Sequence, residues 1–168
     1  IQNALLHCHF DTAETELAYN QLIDKEEYSS RYSFFLINYL IHKNNYKKAE
    51  KIIKIGRKEY SSNLLIKQSE VFFNKNQKDK IKKIFDCKNS KDSVAEVLYV
   101  IANIYSSTKD YQLSNFYLKL SYFLNDRFLP NKTILAENFL NQGKDEYSRK
   151  TYNSVKSMGG VYSWYASI

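Results

Sequence analysis

Glycine and proline are scarce in this chain of 168 residues, which contains four Gly and one Pro. Three of the glycines, Gly143, Gly159 and Gly160, and the single proline, Pro130, lie near the C-terminal end. Short strands joined by tight hairpins need such residues at their turns. The composition therefore predicts helices over most of the chain.

Long apolar runs are also missing. The longest stretch, 34–41, is far shorter than the roughly 20 residues that cross a bilayer, so we expect no membrane span. The sequence starts at Ile1 and shows no basic segment followed by an apolar one. Either a signal has been removed or the sequence is a piece of a longer chain. The localisation, cytoplasmic or periplasmic, stays open.

Cysteine is rare, and the two present, Cys8 and Cys87, lie far apart in a chain large enough to fold without covalent links. This argues against a disulfide framework, and we expect both to be reduced thiols. His7 and His9 flank Cys8, but consecutive helical residues point in different directions and no second cluster completes a zinc site. The sequence predicts no metal and no cofactor.

Catalytic motifs are absent from the sequence as well. It contains no Gly-rich phosphate loop, no nucleophile elbow and no paired metal motif. The sequence therefore predicts a protein that is not an enzyme.

What the sequence does contain is an internal repeat with a period of about 34 residues. A turn residue followed three positions later by a small residue recurs as Phe10 with Ala13, Tyr46 with Ala49, Tyr111 with Ser114 and Asp145 with Ser148, and a less regular unit begins at Lys78. The intervals between these turn positions are nearly equal, which is typical of helix-turn-helix repeats. The sequence predicts about five such pairs.

Apolar residues predict the two helices of each pair. Before the turn, Leu36, Ile37 and Leu40 follow helical spacing, as do Leu98, Ile101, Ala102 and Tyr105 in a later unit. After the turn, a second helix carries a small, a large and a small residue on its inner face. The two examples of this pattern are Ala49, Ile53, Gly56 and Ser114, Leu118, Ser121. Small residues let neighbouring helices approach closely.

These features resemble the tetratricopeptide repeat, in which an A helix and a B helix alternate. The resemblance covers essentially the whole chain and is strongest over 93–168, where the segments AEVLYVIANIY, LAENFLNQGK and VYSWYA are similar to a bacterial group of such proteins. The chain departs from the pattern at Lys78 and Asp145, which replace the turn Tyr, at Val155, which replaces a small residue, and in lacking the proline between repeats.

The resemblance implies an all-α fold, an α-solenoid of about five antiparallel helix-turn-helix repeats that forms a single domain over 1–168. The last segment, 162–168, resembles the start of another A helix. Because an uncapped terminal repeat would expose apolar surface, we expect the natural protein to continue past both ends.

The resemblance also implies that the A helices line a concave groove for a protein or peptide partner. Mapped onto this chain, the groove consists of Phe34, Asn38, His42, Ile66, Glu70, Phe73, Tyr99, Asn103, Ser107, Thr133, Glu137 and Asn141. Asn38 and Asn103 match the amide position of the subset that grips a C-terminal carboxylate, but no Lys stands at the neighbouring groove positions, so that mode is rejected. The alternative is a face that is merely solvated or that contacts a later part of the same chain.

Positive charge suggests a second kind of contact. The net charge is +7, and residues 43–60 hold seven Lys or Arg against two Glu, while residues 74–88 hold six Lys against two Asp. The corresponding B helices predict a convex lysine ridge, consisting of Lys47, Lys51, Lys54, Lys58, Lys80 and Lys83. Such a ridge either keeps the protein soluble or contacts an anionic surface, which is a membrane bound peripherally, an acidic protein or nucleic acid. Nucleic acid is the less expected of these partners, because abundant lysine alone reads no base sequence.

Overall fold

The structure, a computed structural model, describes residues 1–23, 29–157 and 160–166, with only the backbone of Ser29 and Trp164. Within these ranges every regular element is a helix and no strand occurs, which confirms the all-α prediction. The described helices are α1 (Gln2–Phe10), α2 (Thr15–Ile23), α3 (Ser29–His42), α4 (Tyr46–Glu59), α5 (Leu64–Asn74), α6 (Lys78–Ile84), α7 (Ser90–Ser107), α8 (Tyr111–Leu124), α9 (Pro130–Asn141), α10 (Asp145–Lys156) and α11 (Gly160–Tyr165).

The chain falls into two compact units, residues 1–90 and residues 91–168. Helices α1 to α6 belong to the first unit, and α7, which begins at Ser90, leads into the second with α8 to α11. Stacked helical repeats contact mainly their neighbours. The division alone therefore does not decide whether 1–168 is one repeat domain, which stays a prediction.

The core of unit 1 forms around α3, which packs against α2, α4, α5 and α6. Phe35, Ile37 and Ile41 of this helix are all almost completely buried. A helix that is apolar all round is stable when it is covered on every side, and α3 meets that condition. The ring of Phe35 also meets that of Phe85, which follows α6, edge to face at a centroid distance of 4.8 Å.

A disulfide joins Cys8 of α1 to Cys87 in the turn after α6, so the expectation of two reduced thiols is wrong. Both cysteines are buried. His9 reinforces the link, because its Nδ1 lies 3.0 Å from the carbonyl oxygen of Cys87, which can only accept a hydrogen bond. Helix α1 is thus fixed both to α2, which it contacts, and to the C-terminal end of its own unit.

Two lysines converge on Asp11, next to this disulfide. Lys43 Nζ contacts one carboxylate oxygen, and Lys88 Nζ lies 3.3 Å from the other. The hydrogen bond from Lys43 holds the pKa of Asp11 below its usual value, and the same bond raises the pKa of Lys43. These groups are exposed, so the cluster orients the turn more than it stabilises the fold.

In unit 2, α9 packs between α8 and α10, and α10 also contacts α11. Asn138 of α9 is buried and its Nδ2 donates to Ser114 Oγ at 2.7 Å and to Asn115 Oδ1 at 2.9 Å, which ties α9 to α8. The rings of Tyr105 and Tyr117 stack at 5.6 Å and join α7 to α8. The helix expected near the C-terminal end begins at Gly160, and residues 167 and 168 lie outside the described residues.

The same turn follows the first helix of five pairs. Its central residue has a left-handed backbone and is Asp11, Asn44, Asn76, Lys109 or Gly143, so the turn recurs at nearly constant intervals. In each turn this residue donates its N–H to the carbonyl three residues back, and the next residue donates to the carbonyl five residues back. In the second turn these bonds run from Asn44 to Ile41 and from Asn45 to Leu40. This is the Schellman arrangement, which satisfies the last carbonyls of a helix.

Four predicted turn anchors coincide with the first residues of helices, since α4, α6, α8 and α10 begin at 46, 78, 111 and 145. The first anchor is wrong. Phe10 ends α1 and is 71% exposed, and Ala13 is exposed, whereas Thr15 is buried at the start of α2. By the hydrogen bonds of the turn, Thr12 corresponds to Asn45, so the position equivalent to Tyr46 in the first pair is Ala13, two residues after Asp11.

The small residues predicted for the inner faces of two B helices are buried. Ala49, Ile53 and Gly56 of α4 are buried, as are Ser114, Leu118 and Ser121 of α8. A Cβ atom on Gly56 would lie 3.3 Å from the Ile66 side chain, so α5 leaves almost no room above it. The predicted pattern of small, large and small inner residues is confirmed by their burial.

Candidate partner-binding surfaces

Five of the twelve predicted groove residues do not face solvent. Phe34, Asn38, Ile66, Tyr99 and Thr133 are all at most 8% exposed. The prediction that they lie on an open face is wrong, because a partner cannot reach them without displacing the helices that cover them. Helix α3, for example, is covered by four neighbouring helices. The face of α3 that was predicted to line the groove is therefore buried inside the unit.

Asn38 and His42 have a different task from the predicted one. Asn38 Nδ2 donates to the carbonyl oxygen of Ile81 at 2.8 Å, and His42 Nε2 lies 3.3 Å from the carbonyl oxygen of Phe85. The last carbonyls of a helix lack partners within the helix. These two side chains, one helical turn apart on α3, serve carbonyls at the C-terminal end of the short helix α6.

The remaining predicted residues of unit 1 are also used within the unit. Glu70 accepts from Arg57 Nε at 2.8 Å, and Arg57 in turn donates to the carbonyl oxygen of Ser61 at 2.6 Å. The ammonium group of Lys78 lies 4.8 Å from the centre of the Phe73 ring, within the range of a cation–π contact. These groups hold α4, α5 and α6 together, and a partner would have to compete for them.

In unit 2, four of the predicted residues remain at least partly accessible. Asn103 and Ser107 form hydrogen bonds within their own helix. Asn103 Nδ2 donates to the carbonyl oxygen of Tyr99 at 2.9 Å, and Ser107 Oγ donates to the carbonyl oxygen of Ile104 at 2.7 Å. Glu137 and Asn141 are exposed on α9. Of the predicted set, these last two offer the most accessible polar side chains.

An open cavity of about 610 Å³ lies beside this part of unit 2, between α9, α10 and α11. It is lined by Leu140, Asp145, Ser148, Arg149, Tyr152, Asn153, Tyr165 and Ala166. Aromatic rings and an aliphatic side chain can pack against an inserted side chain, while Arg149, Asp145 and Asn153 can donate or accept hydrogen bonds. Such a mixture is typical of pockets that bind a ligand or an anchoring side chain.

Tyr165 connects the cavity to Glu137, since its hydroxyl donates to Glu137 Oε1 at 2.6 Å. Burial, and then the hydrogen bond to this carboxylate, raise the pKa of Tyr165 far above its usual value. Burial, followed by the charge of Glu137, also raises the pKa of Tyr152. Both phenols therefore stay protonated to a higher pH than an exposed tyrosine does.

The cavity residues were missed by the sequence reasoning, which looked for the site on A helices alone. A signal was nevertheless present. The repeat places Tyr152 of α10 at the same position as Ile53 of α4 and Leu118 of α8, which are both buried. Tyr152 is only half buried and lines the cavity.

All six residues of the predicted lysine ridge are exposed. Lys47, Lys51, Lys54 and Lys58 follow one another at steps of four, three and four residues along α4 and so share one face. Lys54 pairs with Glu50 at 2.6 Å. Lys80 Nζ lies 5.4 Å from the Phe72 ring centre.

The segment around Cys8 offers no metal site in the part of the chain that the structure describes. Cys8 is consumed by its disulfide, and His7 Nδ1 lies 2.7 Å from Thr12 Oγ1. Across the described ranges, no three His, Cys, Asp or Glu side chains converge on a position for a metal ion.

Comparison of the chain with protein-family models, with curated proteins and with solved structures gives no match. None of the described helices combines the length and apolar character needed to cross a bilayer. The interpretation of function therefore depends on the geometry of the two units themselves.

Proposed function

We propose that this chain is a helical-repeat protein of the tetratricopeptide type, like the bacterial group that its C-terminal segments resemble, and that it holds another protein without catalysing a reaction. The observation that carries the proposal is the recurrence of one Schellman turn at five nearly evenly spaced positions, from Asp11 to Gly143. The burial of the small residues Ala49, Ser114 and Ser148 on B helices supports the same reading.

The partner contacts the cavity of unit 2 rather than the full set of groove residues predicted from the sequence. Five of those residues are buried, and three others of unit 1 are engaged inside it. The cavity, by contrast, is open and combines two tyrosine rings with Arg149 and the neighbouring carboxylate of Glu137. A peptide could pack an apolar side chain against the rings and donate a backbone or side-chain hydrogen bond to Glu137 or Asn141.

The energetic basis is pre-organisation. Tyr165 is held by its hydrogen bond to Glu137, and Tyr152 meets the Tyr165 ring at a centroid distance of 6.2 Å. Because these rings are already positioned, binding costs little ordering on the receptor side. A few contacts then suffice for reversible association.

A capture experiment tests this proposal. Immobilised chain carrying Arg149→Ala and Tyr152→Ala should lose the protein retained by the wild type from native lysate, while circular dichroism stays unchanged. The matched control is Glu146→Ala with Lys150→Ala, which changes exposed residues of α10 that do not line the cavity. Equal capture by the cavity variant and the wild type would exclude the cavity as the binding site.

The lysine ridge supports a second candidate function, peripheral binding to an anionic membrane surface. Four lysines on one exposed face of α4 are the observation in its favour. Counter-ion screening would make such binding fall steeply with salt, whereas binding in the cavity would depend on salt much less. Sedimentation with vesicles containing phosphatidylserine tests it, with Lys47, Lys51, Lys54 and Lys58 changed to Glu. Binding that survives these changes would exclude the ridge.

A further inference from the structure

Helix α1 buries little apolar surface in unit 1. Of its three large apolar residues, Leu5 is buried, whereas Leu6 and Phe10 are 57% and 71% exposed. Its other buried residues, Ala4 and Cys8, are small. No side-chain hydrogen bond caps its first turn, and a helix of nine residues is marginal in water unless packing holds it. The apolar contacts of α1 therefore contribute little to docking it.

Helix α2, by contrast, is fixed to the core of unit 1 without help from α1. It packs against α3, and its buried residues include Ala18 and Tyr19. The ring of Tyr19 lies 6.2 Å from that of Tyr39 in α3. Helix α3 is covered in addition by α4, α5 and α6. The core of the unit is thus built from helices other than α1.

The links from α1 to the far end of unit 1 converge on the turn after α6. Cys8 is bonded to Cys87 in this turn, and His9 Nδ1 lies 3.0 Å from the carbonyl oxygen of the same residue. Lys88, the next residue, reaches Asp11 after α1 at 3.3 Å. An ion pair between exposed side chains and a single hydrogen bond each contribute little net free energy. The disulfide is therefore the strongest of these links.

We propose that the bond between Cys8 and Cys87 is a redox-sensitive clasp for α1. When the two sulfurs are bonded, α1 is docked on the unit; when they are reduced, α1 opens while α2 to α6 remain folded. In the docked form the two cysteines are only 1% and 8% exposed, so docking shields the bond from thiols. Docking and bonding thus stabilise each other. The clasp belongs to unit 1 and is separate from the cavity proposed to bind a partner.

The closing step is a thiol–disulfide exchange in which another disulfide is the oxidant. The thiolate of Cys87, the more exposed cysteine, attacks one sulfur of that disulfide, forms a mixed disulfide and releases one thiolate. The thiolate of Cys8 then attacks the Cys87 sulfur and releases the second thiolate. Two electrons and two protons pass in total from the chain to the oxidant, which becomes two thiols.

Opening is the reverse reaction, with a dithiol as the reductant. The dithiol is oxidised to a disulfide, and the two cysteines regain their protons. The docked form of α1 is therefore the stable one in an oxidising compartment, and the open form is the stable one in a reducing compartment. The redox state of the surroundings decides whether unit 1 carries α1 in place.

Hydrogen exchange measured by mass spectrometry tests the clasp. After oxidation with glutathione disulfide, the amides of α1 should be protected. After reduction with dithiothreitol, confirmed by counting free thiols, they should exchange at least about a hundredfold faster than those of α3. Protection of α1 that survives reduction overturns the proposal. Loss of all protection in α3 also overturns it, because the bond would then hold the whole unit.

Two variants separate the bond from the contacts around it. Cys8→Ser with Cys87→Ser should leave α1 open in either buffer. The matched control, His9→Ala, removes the hydrogen bond to the Cys87 carbonyl oxygen but keeps the disulfide. In the oxidised control the protection of α1 should fall by no more than about tenfold. If α1 opens in this control, the hydrogen bond holds the helix and the disulfide is not the clasp.

Reoxidation gives the order of events. Glutathione disulfide is added to the reduced protein, and samples taken over time are divided between thiol counting and hydrogen exchange. Protection of α1 should return in step with the loss of the two free thiols. Protection that returns while both thiols are still free would show that α1 docks without the bond, which overturns the proposal.

Discussion

The sulfur of Cys8 is bonded to that of Cys87, 79 residues further along the chain, and both residues are buried. The bond closes nearly all of unit 1 into one covalent loop. Closing a long loop restricts the unfolded chain, and removing such a link typically costs about 2–5 kcal/mol. We predict that reduction, or replacement of both cysteines by Ser, lowers the free energy of unfolding of unit 1 by that amount.

Urea denaturation with and without dithiothreitol measures this effect. The wild type should lose stability in the reductant, and the variant with both cysteines changed to Ser should have the same midpoint in either buffer. Quantifying free thiols under denaturing conditions in protein taken from its natural compartment gives an independent check. Two titratable thiols there would mean that the disulfide is not part of the working protein.

The disulfide could not be predicted from the sequence because its two ends become neighbours only through tertiary structure. Cys8 reaches Cys87 because α1 packs beside the turn after α6, and neither helix contains a signal for the other. Arguments from chain length and cysteine spacing depend on what is common among proteins of a given size and compartment. They do not detect a single pair brought together by packing.

Local signals, by contrast, were sufficient for the helix pairs. The starts of α4 and α8 follow Asn45 and Asp110, whose side chains accept from the backbone N–H groups of Lys48 and Leu113. Such capping is encoded within a few residues and can be read from the sequence. The first pair was misaligned because Phe10 resembled the turn aromatic, although the turn itself lies at Asp11 and Thr12.

The candidate site was harder to predict, because the sequence pattern of a helical face does not show how many other helices pack against it. Asn38 is polar and lies one turn from His42, as a groove residue would, yet it is buried against the end of α6. Its hydrogen-bond partner is a backbone carbonyl. Because every residue has a backbone carbonyl, the sequence does not show which one a side chain will contact. The cavity around Tyr152 forms where residues of α9, α10 and α11 come together, which is likewise a tertiary property.

The recurrent turns predict that substitutions at two equivalent positions change the stability of unit 2 in opposite directions. Lys109 has a φ of 63° and Gly143 a φ of 69° at equivalent positions. A left-handed backbone costs a residue with a Cβ roughly 1–2 kcal/mol, part of which glycine loses again as chain entropy. Lys109→Gly should therefore stabilise unit 2 by up to about 1 kcal/mol, and Gly143→Ala should destabilise it by about 1 kcal/mol. Thermal or urea unfolding measures both changes.

Asn44→Gly is the control for these substitutions. Asn tolerates the left-handed conformation, and Asn44 Oδ1 also accepts a hydrogen bond from the Tyr46 hydroxyl at 2.7 Å. The change should have little effect on stability. A Cβ at Gly143 would meet nothing within 4 Å, so a loss on Gly143→Ala reports the backbone and not a clash. Equal effects at all three turns would contradict the backbone explanation.

The close approach of the helices in unit 1 predicts the effect of overpacking. Ala49 is fully buried, so Ala49→Leu should destabilise the unit by about 1–3 kcal/mol. Lys51→Leu, on the exposed side of α4, should change stability by no more than about 0.5 kcal/mol. Both are measured by urea denaturation. A tolerated Ala49→Leu would show that α4 is not packed as tightly as described.

The hydrogen bond from Tyr165 to Glu137 predicts a loss of stability in alkali. Burial, and then the carboxylate, raise the folded-state pKa of Tyr165, while an unfolded tyrosine titrates near about 10. The contribution is therefore complete below pH 10 and declines as the pH rises further, because only the unfolded chain then releases the proton. Near-ultraviolet titration of the wild type minus Tyr165→Phe isolates this phenol. Its phenolate should form well above pH 10, and Glu137→Gln, which keeps an acceptor but removes the charge, should lower the pH at which it forms. A Tyr165 signal that titrates like free tyrosine would mean that α11 is not held against α9 in solution.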